Sequence, residues 1–342
     1  MLPAIFGLSG LTLSADERAF FRDADPAGYI LFGRNVESRQ QLRALTDELR
    51  ALHGRDRTFI CIDQEGGRVA RMKPPVWQAY PPGEAFDKLW DVAPATAIEA
   101  ARANAHALGL DLAEAGISVD CLPLLDVRDP SGHDVIGDRS YGAEPMRVAA
   151  LGRATLDGLG RAGVAGVVKH MPGHGRAGAD SHKALPTVDA TAEELERDLR
   201  PFRTLNSAPI AMTAHVRYTA WDAENPATLS PFVVQEIIRK QIGFSGLLLT
   251  DDLDMEALSG TVPDRAARAI AAGCDLALNC WAKMDDMVGI AKALPSMGAE
   301  TAARLERAMA QTADFAGPAD LSEQPDLLAL RDRLLDLVGE RA

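Results

Sequence analysis

Eight short apolar runs, most of them ending in or closely followed by polar or ionisable residues, constrain this chain more than any other feature. They are Ala4–Leu8, Gly28–Phe32, Phe59–Asp63, Ile117–Leu122, Gly166–His170, Ile210–His215, Gly246–Asp251 and Asp275–Asn279. They read as continuous apolar segments rather than alternating ones, as strands of a parallel sheet covered on both faces do. Between them lie amphipathic stretches of helical period, including Ser38–Leu52, Ala95–Ala115, Pro145–Ala162, Ala192–Leu205 and Pro231–Ile242. Thr191, with Glu194 three residues later, supplies a capping box ahead of Ala192–Leu205.

Eight strand and helix units within 342 residues predict an α/β protein, a single (β/α)8-barrel domain over residues 1–342 with helices from Thr301 onward and no second domain. A doubly wound open sheet is the weaker alternative, because GLSGLTLS after the first run lacks the glycine spacing of a dinucleotide-binding turn. Ionisable residues gather where runs end: Asp63 with Gln64 and Glu65, Asp126, Lys169 with His170, His215, and Asp251 with Asp252. In a barrel that rim is where active sites are built.

Composition narrows the partners. With 47% hydrophobic and 25% charged residues, the chain can bury a core without metal or disulfide staples. A formal net charge of −13 argues against nucleic acid or an anionic membrane as the partner. Cys61, Cys121, Cys274 and Cys280 each sit in an apolar run with no C-x-x-C pair, so reduced core cysteines are expected. MLPAIFGLSG lacks a basic leader, and no run approaches a membrane span. The expectation is a cytoplasmic, monomeric protein without cofactor or metal.

Three segments carry the chemistry. In Lys169-His170-Met171-Pro172-Gly173-His174-Gly175, a strand ends in basic residues and glycines enforce an irregular loop, followed by Asp180-Ser181-His182. An aspartate two residues before a histidine can hold one imidazole nitrogen and leave the other for proton transfer. His174, taken alone, reads as a solvated loop histidine. In Leu247-Leu248-Leu249-Thr250-Asp251-Asp252-Leu253-Asp254, leucines drive a strand into the wall and leave Asp251 at its end, where a carboxylate can attack an anomeric carbon. Asp252 or Asp254 can instead cap the following turn. In Asp63-Gln64-Glu65-Gly66-Gly67-Arg68-Val69-Ala70-Arg71, Asp63 can bind sugar hydroxyls and Arg71 can return toward the site, while Val135–Tyr141 offers Arg139.

Taken in order, IDQEGGRVAR, VIGDRSYG, KHMPGHG with DSH, MTAHV and LLLTDDLDM resemble the family 3 glycoside hydrolases. Within them the likeness is to the bacterial cytoplasmic β-N-acetylhexosaminidases of cell-wall recycling, and it runs from about Ile5 to Asn279. The resemblance implies a carbohydrate substrate, a terminal β-linked N-acetylglucosamine, released with retention from fragments carrying 1,6-anhydro-N-acetylmuramic acid. It implies Asp251 as the nucleophile, His182 as acid/base and Asp180 behind it. Asp63, Arg71, Arg139, Lys169 and His170 match positions that bind the sugar. Met171 stands where phenylalanine is usual, and Arg176 where an acidic residue commonly follows G-H-G. Either water or phosphate can serve as acceptor on this reading.

Three rivals are open to the sequence. One is a metal-dependent hydrolase on His170, His174, His182 and His215 with Asp251 or Asp63, though no H-E-x-x-H helix occurs. A Schiff-base Lys169 is the second, and a sugar-binding barrel without catalysis is the third. Glu65 is the reserve candidate for acid/base.

Overall fold

A computed structural model of the chain describes residues 1–313, 315, 317 and 319–339; the last residues of the expected domain, 340–342, lie outside it. Among the described residues ten strands occur in order: β1 Leu2–Gly7, β2 Pro26–Leu31, β3 Phe59–Ile62, β4 Val119–Asp120, β5 Ala165–Met171, β6 Thr187–Val188, β7 Ile210–Thr213, β8 Arg217–Tyr218, β9 Leu247–Asp252 and β10 Leu276–Asn279. Eight of them close a barrel in the order β1-β10-β9-β7-β5-β4-β3-β2, with every pairing parallel. The fold is thus the expected (β/α)8 barrel. β6 and β8 pair separately, Thr187 with Arg217 and Val188 with Tyr218, a ribbon too short to leave a period in the sequence.

The alternation of side chains along each strand divides the core in two. Ile5, Ile30, Phe59, Cys61, Val119, Val167, Ile210, Met212, Leu247, Leu249, Leu276 and Leu278 fill the barrel interior as one cluster. Their neighbours Phe6, Tyr29, Leu31, Ile60, Ile62, Val168, Ala211, Leu248 and Ala277 pack outward against the helices. Leu305, Ala308 and Met309, from the helix Ala299–Met309, join the interior cluster. The Met297 N–H bonds the Met1 carbonyl at 3.0 Å, so this helix closes the end where strands begin. The end where strands finish stays open.

Some boundaries differ from the sequence reading. The fourth run pairs over Val119–Asp120 only, because Pro123 follows with no N–H to donate. His215 lies beyond β7, which ends at Thr213. The segment from Thr301 divides between Ala299–Met309 and a further helix, Gln324–Gly339. The four cysteines are free and buried. Among the described residues no helix is long and apolar enough to cross a membrane.

Candidate active site

Strand alternation decides which polar residues reach the open mouth. Asp63 extends the inward series of Phe59 and Cys61, Lys169 that of Ala165 and Val167, and Asp251 that of Leu247 and Leu249. These three line a cavity of about 200 Å³ together with Arg71, Arg139, His170 and His182. Asp180 stands behind His182, outside that lining. The structure therefore gathers the eight residues singled out from the sequence into one place.

One wall is an ion-pair network. Arg139 grips Glu65 with two hydrogen bonds of 2.7 Å, and the Lys169 ammonium lies 2.6 Å from the same carboxylate. Asp63 accepts from Arg71 at 3.0 Å and from Lys169 at 3.4 Å. Burial by itself would raise the Glu65 carboxyl, yet Arg139 and Lys169 outweigh it and hold it well below the usual carboxylate range. Glu65 is therefore a fixed anion with no proton to give, which removes it as the reserve acid/base. Burial would likewise lower the Lys169 ammonium, but Glu65 and Asp63 reverse that and raise it. An amine so firmly protonated is not a Schiff-base nucleophile.

The return of Arg71 has a local cause. Gly66 has φ +99°, and a Cβ there would meet the Pro81 carbonyl oxygen at 2.3 Å, so the chain turns sharply after Glu65. The Gln64 side chain then accepts from the N–H groups of Arg71 and Met72 at 2.8 and 3.0 Å and donates to the Met72 carbonyl at 2.8 Å. That clamp fixes Arg71 at the mouth.

The loop after β5 forms the opposite wall. Its register with β7 shifts between Val168 and Met171, and the peptides Lys169–His170 and Met171–Pro172 are cis. Asp126 is fully buried and accepts from three donors: His170 Nδ1 at 2.7 Å, His170 N at 3.2 Å and His174 N at 2.6 Å. Burial would raise its carboxyl, but His170 and the His174 N–H keep it lowered. An ionised Asp126 requires the proton on His170 Nδ1, which leaves Nε2 for a ligand. The sequence shows Asp126 as a rim residue but carries no sign of this pairing.

His174 departs from its expectation. It is 3% exposed rather than solvated, and burial, then His170, lowers its pKa to about 4. Its Nε2 lies 3.3 Å from Ser181 Oγ, linking the loop base to the D-S-H segment. Asp180 Oδ1 accepts from the His182 N–H at 3.0 Å and from His182 Nδ1 at 2.9 Å. Nε2 of His182 makes no hydrogen bond among the described residues, and its side chain is 65% exposed above the cavity. Gly175 seats the loop base: a Cβ there would lie 1.8 Å from the Val127 carbonyl oxygen.

Across the mouth, Asp251 Oδ1 accepts the Asp252 N–H at 2.8 Å. Burial would raise the Asp251 carboxyl, but His215, His170, that N–H and Lys169 bring it down to about 2. His215 is itself lowered by burial and so neutral near pH 7, which leaves the Asp252 N–H and Lys169 among the lasting contributors. Asp252 Oδ1 accepts from the N–H groups of Asp254 and Cys280 at 3.0 and 3.3 Å. Asp254 Oδ2 accepts from Asn279 Nδ2, Cys280 N and Trp281 N at 2.8, 3.0 and 3.2 Å. Burial, then the neighbouring Asp254, raises the Asp252 carboxyl well above the usual carboxylate range; the two side chains cap the turn, and Asp251 keeps one oxygen for other work.

Residues 6–314 match the model of the glycosyl hydrolase family 3 N terminal domain. The chain belongs to this family. A β-hexosaminidase of Aromatoleum aromaticum is 35% identical, covering 99% of this chain and 96% of its own. One of Bordetella pertussis is 39% identical over 83% of this chain and 81% of its own. Among solved structures, NagZ from Neisseria gonorrhoeae in complex with N-trifluoroacetyl-D-glucosamine superposes with a TM-score of 0.87 at 31% identity, covering 98% of both chains. A family 3 β-N-acetylglucosaminidase of a Paenibacillus species gives 0.89 at 33% identity, over 98% of this chain and 67% of that one. This family 3 chain is an enzyme, a glycosidase of the β-hexosaminidase type. Of the two departures, Met171 is fully buried in the core, and Arg176 donates to Asp198 at 2.6 Å beside Asp129 at 3.3 Å.

Proposed function

We propose that this glycosidase removes terminal β-linked N-acetylglucosamine in two steps with retention of configuration. Asp251 attacks the anomeric carbon as His182 Nε2 gives its proton to the departing glycosidic oxygen. The glycosyl ester then forms on Asp251 and the aglycone leaves as an alcohol. Neutral His182 next takes a proton from water, whose oxygen displaces Asp251 and restores both groups. Asp180 orients His182 through Nδ1. Asp63, Arg71, Lys169 and His170 contact the sugar, and Arg139 does so from the Glu65 pair. The observation that carries the reading is an ionised carboxylate on the inward series of β9, facing one cavity with an imidazole whose Nε2 is unengaged.

Two further points support the substrate. The relative from Neisseria gonorrhoeae binds an N-acylated glucosamine, and cationic groups in the cavity are matched by carboxylates, which suits a neutral sugar. We assign the aglycone to 1,6-anhydro-muropeptide fragments of cell-wall recycling, on the likeness of the motifs. We also assign the whole chain to one catalytic domain, acting as a monomer in the cytoplasm. Free buried cysteines agree with a reducing compartment. A 2-deoxy-2-fluoro glycoside inactivator, followed by peptide mass spectrometry, should place the adduct on Asp251. An adduct on Asp252 or Glu65 would overturn the assignment, and an aryl β-glucoside turned over as fast as the β-N-acetylglucosaminide would overturn the substrate.

A further inference from the structure

We infer that His215 is a positioning residue for the nucleophile, acting through the peptide of Asp252; the inference rests on Asp251 being that nucleophile. Asp252 is the hub. Its N–H fixes Asp251 Oδ1 at 2.8 Å, its side-chain Oδ1 accepts the Cys280 N–H at 3.3 Å, and its carbonyl lies 2.8 Å from His215 Nε2. Residue 252 is thereby clamped from the segment after β10 on one side and from the segment after β7 on the other. Holding Asp252 holds the N–H that sets the direction of the Asp251 carboxylate.

The hydrogen-bond chain behind His215 fixes its tautomer. A carbonyl only accepts, so Nε2 carries the proton. Nδ1 lies 2.7 Å from Thr228 Oγ1, which is 2.8 Å from Thr213 Oγ1 and 3.0 Å from the Ala214 carbonyl. In a neutral imidazole Nδ1 accepts, so Thr228 donates to it and accepts from Thr213 in turn. Were Thr228 to donate to the Ala214 carbonyl instead, Nδ1 would need a second proton. His215 is 0% exposed, and burial disfavours that cation. The chain Thr213, Thr228, His215 thus sends its last proton toward Asp252, and none of its members lines the cavity.

The test is the rate at which the fluorosugar inactivator labels Asp251, measured with the inhibition constant of N-acetylglucosamine. His215→Leu removes the donor and should slow labelling roughly tenfold, the loss expected for one buried hydrogen bond, while the inhibition constant stays the same. His215→Gln can present an amide N–H to the same carbonyl and should recover most of the rate. Thr228→Val keeps the shape and removes the acceptor and donor behind Nδ1, so it should fall between the two. It also provides the readout if His215→Leu fails to fold. Labelling of Asp251 at the wild-type rate in His215→Leu, or in Thr228→Val where only that variant folds, overturns the inference. Equal losses in labelling and in sugar binding would also overturn it, because His215 would then be shaping the cavity as a whole. A wild-type adduct on a residue other than Asp251 refutes the proposed mechanism instead.

Discussion

At the scale of single residues, the division of labour between Asp251 and His182 follows from their surroundings. Asp251 is held to about 2 against its own burial, so it is an anion throughout the pH range in which such an enzyme works. Protonation of the nucleophile therefore cannot set the acid limb of kcat/KM. His182 must deliver a proton in the first step. His182→Ala should slow substrates with poor leaving groups by about 100-fold or more, and aryl glycosides with acidic phenols far less, because a good leaving group departs without a proton. Asp180→Ala should show the same pattern more weakly, since His182 remains but loses its partner at 2.9 Å. Equal slowing of both substrate classes would make His182 a binding residue. At this scale Glu65 offers no substitute, because its carboxylate is already committed to Arg139 and Lys169.

At the scale of elements, the loop from His174 to His182 is anchored at its base and open at its tip. The His133 N–H bonds the Ala177 carbonyl at 2.8 Å and the Ala257 N–H bonds the Ser181 carbonyl at 3.3 Å, tying the loop to the segments after β4 and β9. Arg176 adds an ion pair to the helix Ala192–Thr204 through Asp198, whose side chain is 4% exposed. Arg176→Ala leaves that carboxylate buried without its cation, and should cost about 1–3 kcal/mol of stability. Adding Asp198→Asn should restore part of the loss, and kcat and KM should both worsen as the loop loosens. A Tm and kinetics equal to wild type would show the tether to be idle. Much of this architecture is legible in the sequence, because eight apolar runs mark the strands and Asp63, Lys169 and Asp251 stand where three of them end. What is not legible depends on contacts between distant segments. His174 looks solvated until the segment containing Gly132 packs on Gly175, where a Cβ on Gly132 would lie 2.1 Å from the Gly175 carbonyl oxygen. The β6 and β8 ribbon, Thr187 against Arg217, is equally hidden, since two residues cannot show a period. The Asp126 pairing with His170 spans 44 positions, beyond the reach of any local pattern.

At the scale of the whole molecule, the charge state of the buried site links function to acid stability. His174 is buried with its pKa lowered to about 4, and His215 is lowered in the same direction by burial. An unfolded histidine binds its proton near pH 6.5, so between about pH 6.5 and 4 the unfolded chain holds a proton at position 174 that the folded chain refuses. Stability rises with pH wherever the unfolded state binds more protons, so the part contributed by position 174 must fall as pH drops through that window. For His174 alone the loss by pH 4 is on the order of 3 kcal/mol. The carboxylates held by cations or N–H groups act lower down. Glu65 and Asp251 have lowered values in the fold, so their contribution is complete above the unfolded carboxyl range and is lost only as pH falls below it. Asp252 and Asp120 run the other way: burial raises both carboxyls, so they take up protons on folding within the histidine window and oppose it. The histidine part is therefore read as a difference between proteins. From pH 7 to pH 4 the urea midpoint of the wild type should lose ground against that of His174→Gln, which starts from a lower midpoint and cannot titrate there. If the two midpoints change in parallel, the proton refused on folding is not the one at His174, and the buried neutral imidazole at the base of the loop is the wrong account of its acid sensitivity.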